Sequence, residues 1–237
     1  MTLRLINIFL ANLLMLFLFA CSSSVDKVDK ISLQNKIDTA SYIIGLDYGI
    51  SIRQEEIDVN ELAIYKGLLD GLKGKSLLSD SLKEKIIDSY NEELNVRRAE
   101  KEKALLEKNK ADGKTFLEAN KTQEGVIQLP DGLQYKILKQ GNGNLPADDD
   151  IVKIHYRAMF IDRTVFDMTY DRGPAAVKIS ELVPGLAEGI RMMNVGSIYE
   201  LYIPPELAYG DQTFAKVIPA GSTLIYSIEL IEILKEK

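Results

Sequence analysis

The sequence has no tryptophan, one cysteine and one histidine in 237 residues, and no proline before Pro130. A single cysteine leaves no intrachain disulfide framework and no Cys-rich zinc site, and a single histidine rules out His-cluster metal chemistry. Basic clusters are missing too, and the net charge is −6. Nucleic acid is therefore excluded as a partner, because phosphate binding needs grouped Lys and Arg to displace counterions. What remains is 46% hydrophobic and 27% charged, an ordinary composition for a folding chain of one or two domains.

The long apolar run lies at the start. Residues 1–20 carry one charge, Arg4, followed by an almost unbroken apolar stretch from Leu5 to Ala20, the layout of a secretory signal. It ends at Leu18-Phe19-Ala20-Cys21, with Ser22, Ser23 and Ser24 after it, and this resembles a bacterial lipobox. The reading is cleavage before Cys21 and acylation of its sulfur and new amino group. Acyl chains would hold the protein to a membrane face at about 0.8 kcal/mol per buried CH₂. Residues 21–36 read as a polar tether.

The missing prolines divide the rest. Residues 37–125 are rich in helix formers with no proline to stop a helix, whereas beyond Pro130 turn residues recur and apolar residues alternate. The first region predicts a helix from Asp38 to Arg53, a second from Asn60 to Lys73, and a third from Ser81 to Lys121. Asp38 and Asn60 are cap candidates, and Ser81-Leu82-Lys83-Glu84 has capping-box spacing. Gly45 and Gly49 lie one turn apart, which suits close packing between subunits. The third helix would run about 60 Å, with a charged, solvated middle from Arg97 to Lys110 and more apolar ends that dock on flanking domains, through Leu82, Ile86, Ile87 and Tyr90 early and Phe116 and Leu117 late.

In residues 126–237, Leu133, Tyr135 and Ile137 alternate with polar residues, as do Val152, Ile154, Tyr156, Ala158 and Phe160, then Tyr199, Leu201 and Ile203, and finally Leu224, Tyr226, Ile228 and Leu230. These are half-buried strands. A short helix follows Val183-Pro184-Gly185, with Leu186, Ile190 and Met193 on one face, Pro184 in its first turn and Gly196 as its stop. The fold class is therefore α+β: a helical amino-terminal domain with a long connecting helix, then an antiparallel sheet wrapped around a short helix.

The second half resembles the FKBP-type peptidyl-prolyl cis-trans isomerases. The resemblance rests on Gly132-Leu133-Gln134-Tyr135, Val152-Lys153-Ile154-His155-Tyr156, Val165-Phe166-Asp167, Asp171-Arg172-Gly173, Val183-Pro184-Gly185, Met193-Asn194-Val195-Gly196, the run from Tyr202 to Gly210, and Ile218-Pro219 with Ser222-Thr223-Leu224. These strings are collinear over about a hundred residues. The helical half is similar to that of the macrophage-infectivity-potentiator branch, in Ser41-Tyr42, Gly45, Gly67-Leu68-Leu69-Asp70 and Phe116-Leu117-Glu118-Ala119-Asn120. The resemblance implies a homodimer through the amino-terminal helices, proline-containing unfolded or exported polypeptides as substrates, and a periplasm-facing lipoprotein on the outer membrane of a Gram-negative bacterium.

Such a catalyst needs no cofactor or metal. Amide rotation has a barrier of about 18–20 kcal/mol because twisting destroys resonance, and X–Pro bonds populate both isomers and exchange slowly. A pocket that favours the twisted amide over the planar one suffices. The resemblance implies Tyr156, Asp167 and Tyr209 as catalytic residues. It places Phe166, Arg172, Leu182, Val183, Leu186, Phe214, Ile218 and Tyr226 around the substrate, with Asp167 held by Arg172 and Tyr156 at the mouth. Leu186 stands where the family carries its floor tryptophan, Val177 where it carries a wall aromatic, and Asp162-Arg163 where it carries a turn Asp-Gly; weaker proline stacking and lower turnover are expected. His155 points away from the pocket and reads as structural, and Asp148-Asp149-Asp150 reads as a solvated turn rather than a calcium loop. The alternative function is a weakly active or inactive domain serving as a holdase chaperone or envelope scaffold.

Overall fold

The structure, a computed structural model, describes residues 31–234. The signal segment and Cys21 lie outside the described residues. Contacts divide the described residues into two units, with the boundary between Lys83 and Glu84. No described helix is long and apolar enough to cross a membrane.

The first unit holds α1 (Lys36–Gln54) and α2 (Glu61–Leu72). The cap of α1 is Asn35 rather than Asp38: Asn35 is extended (φ −146°) and its side-chain oxygen accepts from the N–H groups of Ile37 and Asp38 at 2.9 and 3.0 Å. Asp38 is already helical, and its carboxylate reaches back to Gln34 N–H (3.1 Å) and Asn35 Nδ2 (2.9 Å). The two side chains thus hold backbone donors on both sides of the helix start, about one turn nearer the amino terminus than an Asp38 cap would. Asn60 caps α2, as its spacing predicts, accepting from Ala63 N–H at 3.0 Å. Neither helix buries a single residue within the described chain.

The long helix α3 (Asp80–Asn120) has 41 residues. Its start is held by Ser79, whose hydroxyl accepts from Leu82 N–H at 3.3 Å, and not by Ser81. Asp80 follows in the first turn, where a carboxylate suits the helix dipole. Most residues between 97 and 108 are exposed, in keeping with their charge.

The second unit contains β1 (Val126–Gln128), β2 (Gln134–Lys139), β3 (Ile151–Phe160), β4 (Val165–Met168), β5 (Ala175–Lys178), α4 (Pro184–Arg191), β6 (Ile198–Ile203) and β7 (Leu224–Leu234). The sheet is antiparallel in the order β1-β2-β6-β7-β3-β4, and the same edge of β3 that pairs β4 late pairs β5 early. Its concave face packs on α4. Leu201, Ile203, Leu224, Ile228 and Leu230 from the strands and Ile190 and Met193 from the helix segment are all fully buried. The helix lies so close to β6 that a Cβ on Gly189 would stand 2.2 Å from Leu201 Cδ1, so only glycine fits there. Pro184 opens α4, but the helix ends at Arg191 and not at Gly196. Gly196 sits in a later turn at φ +90°, where its N–H donates to Leu230 O at 2.7 Å.

The opposite face of the sheet is covered as well. Met159, Tyr202 and Ile225 are buried there against Phe116 and Leu117 of α3 and Val126 of β1. Gln134, expected on a solvated face, is 1% exposed. Its Nε2 donates to Leu117 O (2.9 Å) and Gln128 Oε1 (3.1 Å), and its Oε1 accepts from Asn120 Nδ2 (2.9 Å). Leu117 O, which also accepts from Lys121 N–H at 3.0 Å, thus ties the end of α3 to β2, an arrangement that strand alternation alone does not reveal.

Candidate active site

Strand β3 carries Tyr156 towards the concave face together with Ile154 and Ala158, since alternate residues of a strand share a face. β4 pairs antiparallel with β3, Ala158 opposite Asp167, so Phe166 and Asp167 arrive beside Tyr156. The following turn brings Arg172. The Tyr156 hydroxyl donates to Asp167 Oδ2, and Arg172 Nη2 donates both to Asp167 Oδ1 (2.7 Å) and to the Tyr156 oxygen (3.0 Å). Each member is thus bonded to the other two.

The charges in this triangle follow from its geometry. Burial works against the Asp167 carboxylate, but hydrogen bonds from Tyr156 and Arg172, together with the Arg172 charge, outweigh it and hold the carboxyl below its ordinary value of 3.8. Asp167 is an anion throughout the neutral range. The Tyr156 phenol is raised, first by burial and then by its bond to that anion, so it remains a donor.

The wall and floor come from four further elements. β7 places Tyr226 opposite Ala158 of β3 and Leu201 of β6. Tyr226 meets Tyr156 at a ring separation of 6.1 Å and Phe166 edge-on at 6.2 Å, geometries in the favourable range for aromatic pairs. The segment before α4 supplies Leu182 and Val183, α4 itself supplies Leu186, and β5 supplies Val177. Leu186 and Ile218 are 8% and 4% exposed and join the same core cluster. A buried aliphatic side chain, Leu186, therefore stands where the resemblance implies an aromatic one.

The last part is the segment from Tyr209 to Gly221. Gly221 N–H donates to Gly210 O at 2.9 Å and closes its base, and Phe214 and Ile218 exchange backbone hydrogen bonds at its tip. Between them Ala215 and Lys216 both adopt left-handed φ, +51° and +58°, a conformation that costs side-chain-bearing residues about 1 kcal/mol or more each. The tight tip stacks Phe214 on Tyr209, ring centroids 4.2 Å apart and 18° from parallel. Burial raises the Tyr209 phenol, and a hydrogen bond with Tyr226 offsets part of that rise. Tyr226, the more buried, is raised further, by burial before all else.

The structure thus brings together Tyr156, Asp167, Arg172, Phe166, Leu182, Val183, Leu186, Tyr209, Phe214, Ile218 and Tyr226. The sequence missed the polar side of Tyr226, which reads there as a wall and here also reaches the Tyr209 hydroxyl. It missed Thr169, fully buried, whose hydroxyl accepts from Tyr156 N–H (2.9 Å) and contacts His155 Nδ1 (2.9 Å). His155 also stacks on Tyr170 at 4.7 Å, outside the pocket. Asp150 accepts from Ala147 N–H and Asp148 pairs with Arg191. Among the described residues no group of three His, Cys, Asp or Glu side chains could hold a metal. Chemically, the site offers a cluster of apolar and aromatic side chains, a phenolic donor in Tyr209 and a fixed anion in Asp167.

Comparison with known proteins gives a consistent picture. Residues 143–231 match the family model of the FKBP-type peptidyl-prolyl cis-trans isomerase, and residues 37–137 match that of the domain amino terminal to it. An outer membrane protein MIP of Legionella longbeachae is 37% identical over 218 residues, covering 91% of this chain and 94% of that protein. An FKBP-type 22 kDa peptidyl-prolyl cis-trans isomerase of Escherichia coli is 36% identical over 82% of this chain and 94% of its own length. The crystal structure of FkpA from Escherichia coli superposes with a TM-score of 0.70 at 29% identity, covering 85% of this chain and 98% of that one.

Proposed function

The chain belongs to the FKBP-type peptidyl-prolyl cis-trans isomerases, and from that membership we propose that the cleft between Tyr156, Asp167 and Tyr209 is where it isomerises X–Pro bonds of exported polypeptides. The observation that carries the site is the closed triangle of Tyr156, Asp167 and Arg172 at the edge of an apolar cluster that contains Leu186, Ile218 and Tyr226.

The mechanism follows from what amide rotation requires. The prolyl ring enters against Leu186, Ile218 and Tyr226, and the apolar walls lower the local polarity. The planar amide is the more dipolar form, so removing water disfavours it relative to the twisted one. The Tyr209 hydroxyl donates to a substrate carbonyl and fixes one side of the rotating bond. Asp167, kept anionic and immobile by its two partners, orients the peptide at the rim. Arg172 and Tyr156 act by holding that carboxylate. No covalent bond forms or breaks.

The location and assembly belong to the same reading. Acylation at Cys21 would hold the protein to the envelope with its isomerase facing the periplasm, and the exposed apolar faces of α1 and α2 suit a homodimer. Metabolic labelling with a fatty acid should disappear in Cys21→Ser, and persistent labelling would exclude the anchor there. Sedimentation of a soluble form begun after Cys21 should show a dimer at tens of micromolar, roughly; a monomer would refute it. For the folding role, proline-limited refolding of a denatured protein should accelerate with catalytic amounts of the chain and lose that acceleration in Asp167→Ala. Suppressed aggregation without acceleration in the wild type would favour a holdase instead.

A further inference from the structure

The segment from Tyr209 to Gly221 carries Tyr209, Phe214 and Ile218, and its two ends meet the same stretch of α3. Asn109 Nδ2 donates to Ala220 O at 2.8 Å, and Lys110 Nζ pairs with Asp211 Oδ1 at 2.6 Å. Two successive helix residues therefore grip the two ends of one loop, just inside the Gly221–Gly210 bond that closes it. Contact between the backbones is close. Gly221, at φ +73°, lies against Leu106, where an added Cβ would stand 2.8 Å from Cδ1 and 2.9 Å from the carbonyl oxygen. A Cβ on Gly113 would stand 2.2 Å from Thr223 Oγ1.

Covering the sheet does not account for this grip. That work is done further along α3 by Phe116 and Leu117 against Tyr202 and Ile225, whereas Asn109 and Lys110 bury no large apolar surface. What they fix is the base of a loop whose tip is strained at Ala215 and Lys216. A strained tip keeps its shape only if its surroundings hold it.

We propose that Asn109 and Lys110 are positioning residues of the isomerase site, which clamp the base of the Tyr209–Gly221 loop to α3 and so keep Tyr209 and Ile218 in place. The clamp rests on the isomerase reading for its effect on turnover, but not for its effect on the loop. The side-chain pair is partly solvated, 35% and 60% exposed, so Lys110 acts more weakly than the part-buried Asn109 bond.

The test uses the full chain with Asn109→Ala, Lys110→Glu, and the swap Lys110→Glu with Asp211→Lys. Exchange of the Ile218 and Gly221 amide protons should speed up about two- to tenfold in the single variants, the range expected for loss of one hydrogen bond. kcat/KM on short X–Pro peptides should fall by a similar factor, while Met159, Tyr202 and Ile225 amides keep their exchange rates. The swap should restore both quantities towards wild type. Unchanged loop exchange in both single variants, or a swap that restores nothing, overturns the clamp. A wild-type chain without turnover overturns the isomerase reading instead, and the exchange rates then still decide the clamp.

Discussion

In residues 84–237, Leu133, Leu201, Ile225 and Ile228 are completely buried, while in α1 and α2 Ile37, Tyr48, Leu68 and Leu72 stand 57% to 78% exposed. Both regions were built from the same residue types at regular spacing. The sheet finds its cover within the chain, α4 on one face and the end of α3 on the other. Among the described residues the two amino-terminal helices find none, and α2 has only 12 residues, a length at which an isolated helix is marginal in water. Apolar periodicity thus reveals which face of an element wants burial, and leaves open whether the cover comes from the same molecule. For α1 and α2 a second copy of the chain supplies it in the function proposed above.

The comparison can be broken most forcefully by truncating one leucine in each region. Leu201→Ala should cost about 2–5 kcal/mol of unfolding free energy at any protein concentration, because it opens a cavity in a closed core. Leu68→Ala should cost well under about 1 kcal/mol in the monomer, yet weaken self-association measurably. Denaturant titrations at two concentrations check both, and equal, concentration-independent losses would erase the distinction. Next in size is the cap of α1: Asn35→Ala should lower the stability of the helical unit by about 1 kcal/mol, read by far-UV circular dichroism, with no change in the unfolding of the sheet.

The smallest effect sharpens the comparison on the other side. Glu188 on α4 lies close to Asp131, whose hydrogen bond raises its carboxyl above the ordinary 4.5, with burial and the Asp131 charge adding to the rise. A raised acid makes the folded state bind protons more tightly than the unfolded one, so the penalty is present at neutral pH and vanishes as pH falls below 4.5. Glu188→Gln should raise the melting temperature of the sheet unit slightly at pH 7 and leave it unchanged in acid. The helical unit should not respond.

Much of this arrangement was legible in the sequence, for identifiable reasons. The absence of proline before Pro130 marked the helices, and alternation marked Ile154, Ala158, Leu201 and Ile228 as inward. The motif strings supplied what periodicity cannot, that Tyr156, Asp167 and Arg172 meet; spacing alone would have made Tyr156 core and Arg172 surface. The errors share a physical origin in side chains that serve distant or neighbouring backbone. Asn35 and Ser79, not Asp38 and Ser81, hold the helix starts, because a cap must lie just outside the helix. Gln134 is buried because the end of α3, 14 to 17 residues earlier, packs on that face of the sheet, a tertiary contact that alternation within the strand does not encode. Arg163 holds the left-handed φ of +70° that the turn demands even without glycine, and its guanidinium pairs with Glu200 across to β6. Asn109 and Lys110 looked like part of a solvated charged stretch, and nothing local distinguishes them.

The central claim is that the Tyr156–Asp167–Tyr209 cleft turns over X–Pro bonds despite its leucine floor. The most direct test is kcat/KM for cis-to-trans exchange of short X–Pro peptides by a soluble form begun after Cys21, beside Tyr209→Phe and Asp167→Ala. The account predicts catalysis above the spontaneous rate, reduced about tenfold or more in each variant, equivalent to about 1.4 kcal/mol of transition-state stabilisation. Turnover that survives both substitutions unchanged would contradict it.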